Sequence, residues 1–514
     1  MADPVGTAPD PPSENPLREG LDSERRAPPC VLVVFGASGD LTSRKLMPAL
    51  EQLAANRQLP PAFSVVGVAR TEMTDEDFRQ RMLEAVEKPS AAWESLVAGF
   101  RYVAGDYAEP ETFDRLKQVL GEVDDERGTG GNRVYYLATV PGVFEKVAAA
   151  MGEHGMNLPK YDDSFVRIVF EKPYGHDLHS ARHLDQAVLD VFAEEQVYRI
   201  DHYLGKETVQ NVIALRFANA IFEPIWNRRY VDHVQITVAE SLGVGHRGGF
   251  YERAGALRDI VQNHVLQVLA LTLMEPPVTV DAKGIRDEKV KALRAVDIPD
   301  ATEVSTEVVR AQYGEGWVEG EHVSGYTEEE DVSPHSRTET YVAMRLRVDN
   351  WRWAGVPFYV RTGKRLPKRM TEVAMEFHDV PHLPFPPQAT QGLGPNALVL
   401  RIQPDEGITL RFGAKVPGQA FRVRTVSMDF SYGAAFLEEA PDAYERLLLD
   451  AMVGDPTLFI RTDEVEQAWK IVDPILAAWS ADDRTTIPTY PAGSWGPKEA
   501  DRLLEREGRR WRSP

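Results

Sequence analysis

Two short stretches carry residue types whose spacing could do chemistry on their own. The first is Gly36-Ala37-Ser38-Gly39-Asp40-Leu41, which directly follows the apolar run Val31-Leu32-Val33-Val34-Phe35. A tight turn of this kind gathers backbone N–H groups at a helix N-terminus, where they can face a pyrophosphate. The spacing departs from G-x-G-x-x-G, and the same turn also serves simply to cap a helix; its place after the first buried strand of an alternating unit is what favours a dinucleotide. The second is Arg70, closing Gly67-Val68-Ala69-Arg70. An acidic side chain there would accept from a ribose 2′-hydroxyl, whereas an arginine pairs with a 2′-phosphate, so Arg70 points to NADP. A solvated arginine at a strand end fits the same spacing. Two other candidates say little alone: Lys206 reads as a solvated face at a helix start, and His264, in an apolar helix over residues 259–274, reads as core.

These residues need a scaffold. The apolar run, the glycine turn and then Leu41, Leu46, Leu50 and Leu53 at near-helical spacing predict strand, turn and helix. Further strands at residues 63–68, near Tyr102-Val103, at 134–137 and at 165–170 alternate with helical stretches, which predicts right-handed crossovers and a parallel sheet. Beyond about residue 200, one long helical region gives way to alternating segments at 234–238, 340–348, 398–402 and 408–412, strands of a larger sheet. The expected fold is therefore α/β plus α+β. A Rossmann-type parallel-sheet domain for a dinucleotide spans residues 29–200, and a larger α+β C-terminal domain with a mainly antiparallel sheet spans 201–514. Residues 1–28 are rich in Pro, Asp, Glu and Gly with almost no large apolar side chain, and are expected to form a disordered tail.

Composition narrows the partners. At 514 residues the chain exceeds one ordinary core, which makes two domains the natural division. No apolar run approaches the roughly 20 residues a bilayer crossing needs, and the first residues have neither the basic start nor the apolar stretch of a secretory signal. The single cysteine, Cys30, excludes an intrachain disulfide framework, so a reducing cytoplasm is the expected location. A net charge of -21 opposes nucleic acid and anionic membranes at long range, and neither is expected as a partner. Any anionic ligand must find a local basic island.

Longer stretches carry a family resemblance. Arg199-Ile200-Asp201-His202-Tyr203-Leu204-Gly205-Lys206-Glu207 resembles the active-site signature of glucose-6-phosphate dehydrogenases. Gly39-Asp40-Leu41-Thr42-Ser43-Arg44-Lys45 resembles that family's coenzyme loop, and Glu171-Lys172-Pro173-Tyr174-Gly175 its EKP turn. Similarity continues through Gln262-Asn263-His264, Trp353-Ala354-Gly355-Val356-Pro357-Phe358, Arg361-Thr362-Gly363-Lys364 and Gln403-Pro404-Asp405-Glu406-Gly407 to Trp495-Gly496-Pro497.

The resemblance implies oxidation of D-glucose 6-phosphate at C1 to 6-phosphoglucono-1,5-lactone with hydride transfer to NADP, the first step of the oxidative pentose phosphate pathway. It implies that the domain over 201–514 binds the substrate and forms a homodimer or homotetramer through the large sheet. His202, Tyr203 and Lys206 are implied to hold the phosphate, Glu240 and Asp259 to meet sugar hydroxyls, and Lys364, Arg369 and Gln403 to surround the substrate. Lys172 is placed between substrate and nicotinamide, beside a proline, Pro173, that can take a cis bond. Gly36, Ala37, Ser38, Gly39, Asp40, Leu41, Lys45 and Arg70 are implied for the coenzyme. His264 is matched to the general base and Asp201 to its carboxylate partner. The chemistry agrees, because loss of hydride from C1 requires loss of the hydroxyl proton. A neutral imidazole can take that proton, and a carboxylate on its other nitrogen fixes the tautomer. No metal is required, since the coenzyme carries the hydride.

The sequence departs from the family at two places. In Leu137-Ala138-Thr139-Val140-Pro141, Val140 stands where the family commonly has a first proline. Some eukaryotic relatives bind a second, structural NADP partly through basic residues that are Met370 and Ala374 here. The alternative from another class, a non-catalytic sugar-phosphate or nucleotide sensor, would be expected to have lost His264, Asp201 or Lys206. An oxidoreductase acting on another sugar is opposed by the phosphate-binding signature alone.

Overall fold

Strand β1 (Cys30–Phe35) is buried on both faces along its whole length, which is why its sequence is an unbroken apolar run and not an alternation. Beside it lie β2 (Phe63–Ala69), β3 (Arg101–Ala104), β4 (Arg133–Leu137), β5 (Val166–Phe170) and β6 (Val197–Ile200). In the computed structural model, which describes residues 25–436, 441–482 and 487–513, these six strands are parallel in the order 3-2-1-4-5-6. The order reverses between β1 and β4. A sheet wound this way opens a crevice at the carboxyl ends of those two strands, where its ligand binds.

The second sheet contains β7 (Val231–Ala239), β8 (Val308–Val318), β9 (Glu321–Val323), β10 (Tyr341–Leu346), β11 (Phe358–Gly363), β12 (Met370–Phe377), β13 (Ala397–Gln403), β14 (Gly407–Lys415) and β15 (Val423–Ser431). It is mainly antiparallel, as expected; the parallel pairs are β7 with β11, and β8 with the edge strand Thr489–Ala492. The helical region after residue 200 is shorter than its sequence indicated, an 11-residue helix Glu207–Phe217 followed by a single turn at Glu223–Ile225. The helix expected over 259–274 is present but wound more widely. It runs as a π-helix from Leu257 to Val265, continues as the α-helix Leu266–Leu273, and ends before Pro276 and Pro277.

The chain does not part cleanly at residue 200. A two-residue strand, Phe459–Ile460, returns to pair antiparallel with β6, and helices Ala443–Val453 and Thr462–Ala481 pack on helices of the first domain. One apolar core therefore runs from β1 through the buried helix to β7 and β13. The expected tail lies outside the described residues for 1–24. Its last residues differ from that expectation: Ala27 is buried, and Arg25 pairs with Asp450 at 2.7 Å and Asp455 at 3.0 Å, supplying a cation to a carboxylate that is fully buried.

Candidate active site

The coenzyme crevice is built by close backbone approach. Gly36 has φ +86°, and a Cβ there would stand 2.4 Å from the Ala138 carbonyl oxygen at the end of β4. Its N–H donates to the Val68 carbonyl at 2.8 Å, which ties the turn to β2. Gly67 is needed for the same reason, since a Cβ on it would meet Phe78 at 2.6 Å and Ala37 at 2.8 Å. Ala37 is buried, Ser38, Gly39 and Leu41 are partly exposed, and Asp40 is exposed. Arg70 is exposed at the end of β2, with no ion pair among the described residues. Lys45 is engaged elsewhere than at the turn, on Asp442 Oδ2 at 2.9 Å.

Across the crevice, β5 runs into the EKP turn and β6 into the signature, while the buried π-helix lies beneath both. Lys172-Pro173 is cis. Lys172 Nζ donates to the Asp259 carbonyl at 3.0 Å, reaches Asp259 Oδ1 at 3.3 Å and lies 2.9 Å from His264 Nε2. On the other side of the imidazole, Nδ1 lies 2.5 Å from Asp201 Oδ1. Asp201 also accepts the Tyr203 N–H at 2.9 Å. A carboxylate on Nδ1 and an ammonium on Nε2 together require the Nδ1–H tautomer, with the Nε2 lone pair available as acceptor. The Tyr203 ring stacks on the imidazole at 4.4 Å and 17°, which fixes its plane.

The electrostatics favour a neutral base. Burial pushes the His264 imidazole below its ordinary range, the Lys172 ammonium adds to this, and Asp201 opposes it. Burial also opposes the charge on Asp201, but the imidazole and its hydrogen bond outweigh that cost and hold the carboxyl well below the usual range. His202, 4.4 Å from the His264 ring, is pushed well down by burial and by the neighbouring His264 and Lys172. Asp201, His202 and His264 stand close enough to converge on a cation. Both imidazole nitrogens of His264 are already committed, however, and the adjacent ammonium disfavours a second positive charge.

A second cluster lies on the same side of the signature. Lys206 Nζ bonds Gln403 Oε1 and lies 4.0 Å from the centre of the Tyr203 ring; Arg369 approaches the same Gln403 oxygen at 3.4 Å. Burial, then the Arg369 charge, lowers Lys206 to about 8. Lys364 bonds Glu240 at 2.8 Å and lies 5.0 Å from the Tyr251 ring centre. The expected substrate residues thus converge. The acidic pair Glu240 and Asp259 is held by Lys364 and Lys172, and the cationic pair Lys206 and Arg369 by Gln403.

Models of the glucose-6-phosphate dehydrogenase NAD binding domain and C-terminal domain match residues 33–211 and 213–512. The chain belongs to the glucose-6-phosphate dehydrogenase family. Glucose-6-phosphate 1-dehydrogenase 2 of Mycobacterium tuberculosis is 51% identical over 508 residues, 97% of this chain and 98% of that protein. The glucose-6-phosphate 1-dehydrogenase of Aggregatibacter actinomycetemcomitans is 49% identical over 493 residues, 95% of this chain and 98% of that one. A solved glucose-6-phosphate dehydrogenase in complex with its substrate glucose-6-phosphate superposes with a TM-score of 0.86 at 34% identity, covering 95% of this chain and 99% of the other. The glucose-6-phosphate 1-dehydrogenase from Mycobacterium avium gives 0.78 at 36% identity, with the same coverage.

Both departures from the family pattern have a structural counterpart. Val140 is 70% exposed, at the start of a short 3-10 turn beside the Ala138 carbonyl. Met370 and Ala374 are buried on β12, and the end of the chain lies over that face. Arg512 bonds Glu372 through its side chain at 3.0 Å and Gln235, the cross-strand partner of Ala374, through its backbone at 2.8 Å. Sequence reasoning missed Thr371, which bonds Gln403 Nε2 at 3.0 Å and Tyr203 Oη at 3.2 Å. It also missed Glu339, whose buried carboxylate accepts the Leu257 N–H at 3.0 Å and caps the helix carrying Asp259 and His264. A glycine at position 255, before an apolar helix, was the available signal for that cap.

Proposed function

We infer that this chain oxidises D-glucose 6-phosphate at C1 and delivers the hydride to NADP. The observation that carries the reading is the unbroken line Asp201–His264–Lys172, set beside the Lys206, Gln403 and Arg369 cluster. Lys206, His202 and Tyr203 take the phosphate, and Glu240 and Asp259 orient the sugar by accepting from its hydroxyls. His264 Nε2 removes the C1 hydroxyl proton as the hydride departs. Lys172 yields its bond to Nε2, and Asp201 stabilises the imidazolium that forms. The glycine turn suits a pyrophosphate because it gathers backbone N–H groups at a helix start, with Gly36 set against the Ala138 carbonyl, and Arg70, without an ion pair among the described residues, suits a 2′-phosphate. NADP, when bound, supplies the hydride acceptor. The turn residues proposed for the coenzyme are Gly36, Ala37, Ser38, Gly39, Asp40 and Leu41, with Lys45 tied to Asp442.

At least a homodimer through the large sheet is in keeping with the family and with the exposed Val426 and Met428 on β15. A cytoplasmic enzyme is in keeping with the composition. Among the described residues no helix is long and apolar enough to cross a membrane. Absorbance at 340 nm with glucose, glucose 6-phosphate and 6-phosphogluconate, each with NADP and NAD, tests the reading. Reduction is expected with glucose 6-phosphate and favours NADP; equal rates with unphosphorylated glucose, or binding without turnover, would overturn it.

A further inference from the structure

The turn that carries Lys172 is anchored from behind by a carboxylate with no part in the reaction described above. Glu171 is buried and has no ion pair among the described residues; its Oε1 accepts from Tyr136 Oη at 2.6 Å and from Tyr444 Oη at 3.1 Å. Burial pushes the Glu171 carboxyl up, and burial likewise pushes both phenols up, so the tyrosines remain donors. The two hydroxyls arrive from distant parts of the chain. Tyr136 is on β4, and Tyr444 is in the first turn of helix Ala443–Val453, which crosses back from the second half of the protein.

That first turn also touches both other parts of the site. Its N-cap, Asp442, bonds Lys45 behind the glycine turn. A Cβ on Gly205, the residue before Lys206, would come within 2.8 Å of the Ala443 carbonyl oxygen. Tyr444 therefore stands where the coenzyme helix, the EKP turn and the phosphate-side signature meet.

We propose that Tyr136 and Tyr444, by holding Glu171, are positioning residues for Lys172: they fix the Glu171-Lys172 peptide so that the ammonium falls on His264 Nε2 and Asp259. The proposal rests on the dehydrogenase reading. A merely structural tie between two elements would show in stability; a positioning role shows in turnover, through Lys172. Small misplacement of a catalytic group costs up to about 100-fold, so loss of one of two hydroxyls, with the second retained, should lower kcat about five- to twentyfold.

The test is steady-state kinetics of Tyr444→Phe, alone and in a Lys172→Ala background. Alone, it should lower kcat by that amount and leave KM for glucose 6-phosphate within about twofold. With Lys172 already removed, the same substitution should cost less than about twofold, because the group it positions is gone. Glu171→Gln retains an acceptor oxygen for both hydroxyls and should keep kcat within about threefold of wild type, whereas Glu171→Leu should fall at least as far as Tyr444→Phe. Tyr136→Phe serves if Tyr444→Phe yields too little folded protein. Two results would overturn the proposal: a lowered Tm with kcat within twofold of wild type, or an equal loss with and without Lys172. A wild-type protein that reduces no NADP with glucose 6-phosphate would sink the dehydrogenase reading itself, a failure visible before any variant is made.

Discussion

Affinity for glucose 6-phosphate should fall about tenfold between pH 7 and pH 9, and Lys206 is the reason. Burial and the nearby Arg369 charge lower this lysine to about 8 in the free protein. A phosphate monoester with a second pKa near 6 is a dianion throughout the interval, so the ligand does not change. Bound beside that dianion, Lys206 stays charged; unbound, it loses its proton as the pH rises through 8. The sign follows, since binding must then recover a proton and weakens with pH. The charged fraction falls from about nine-tenths at pH 7 to about one-tenth at pH 9, and apparent affinity scales with that fraction. Tenfold corresponds to about 1.4 kcal/mol. His202 is already neutral across the interval in the free protein, because burial holds it well down. Calorimetric titration with glucose 6-phosphate, without nicotinamide, measures the effect. Lys206→Arg is the control, because its guanidinium stays charged and should give a flat profile. A wild-type affinity constant within twofold over the interval, or the same fall in Lys206→Arg, would show that the Lys206 proton does not govern phosphate binding.

Arg70→Ala should weaken NADP use by about 10- to 150-fold and leave NAD nearly unchanged, the loss of a charge-assisted contact worth roughly 1.5 to 3 kcal/mol; equal losses in kcat/KM for both coenzymes would count against it. One NADP should bind per chain, since Met370 and Ala374 are buried and Arg512 occupies Glu372 and Gln235 above them. Calorimetry on stripped protein checks this, and a second site that survives Arg70→Ala would contradict it. Gly255→Ala should destabilise the protein by about 2 to 4 kcal/mol, because φ +66° with ψ 172° is a conformation essentially reserved for glycine. The new Cβ would also stand 2.3 Å from Glu339 Oε1. Urea denaturation measures the cost, and an unchanged midpoint would show that the helix cap is not under constraint.

What was legible in the sequence was local. The strand, turn and helix around Gly36, and Arg70 at the end of β2, follow from apolar runs and a glycine whose need is set by its own backbone. Alternation exposed β7, β10, β13 and β14, although β8, β9, β11, β12 and β15 passed unread. His264 and Lys206 were opaque by themselves, and a long signature had to supply their context. Contacts between remote segments left no local pattern. Tyr444 reaches Glu171 across 273 positions and Lys45 reaches Asp442 across 397, and neither pair shares a periodicity that sequence spacing could reveal. The same limit explains residues 25–28. Composition alone marks them as unable to build a core, but Arg25 is held by two carboxylates that the returning chain delivers. The boundary at residue 200 misses that return for the same reason, since Phe459–Ile460 is too short a strand to announce itself.

His264→Asn, with kcat and the glucose 6-phosphate dissociation constant measured separately, separates general-base chemistry from binding. Asparagine keeps polarity and approximate shape but removes the basic Nε2 on which Lys172 now rests. A positioned general base contributes about 10² to 10⁴ in rate, so kcat should fall by that factor while the dissociation constant stays within about threefold. Retention of more than about a tenth of wild-type kcat, or a loss confined to the dissociation constant, would make His264 a binding or core residue and contradict its assignment as the base.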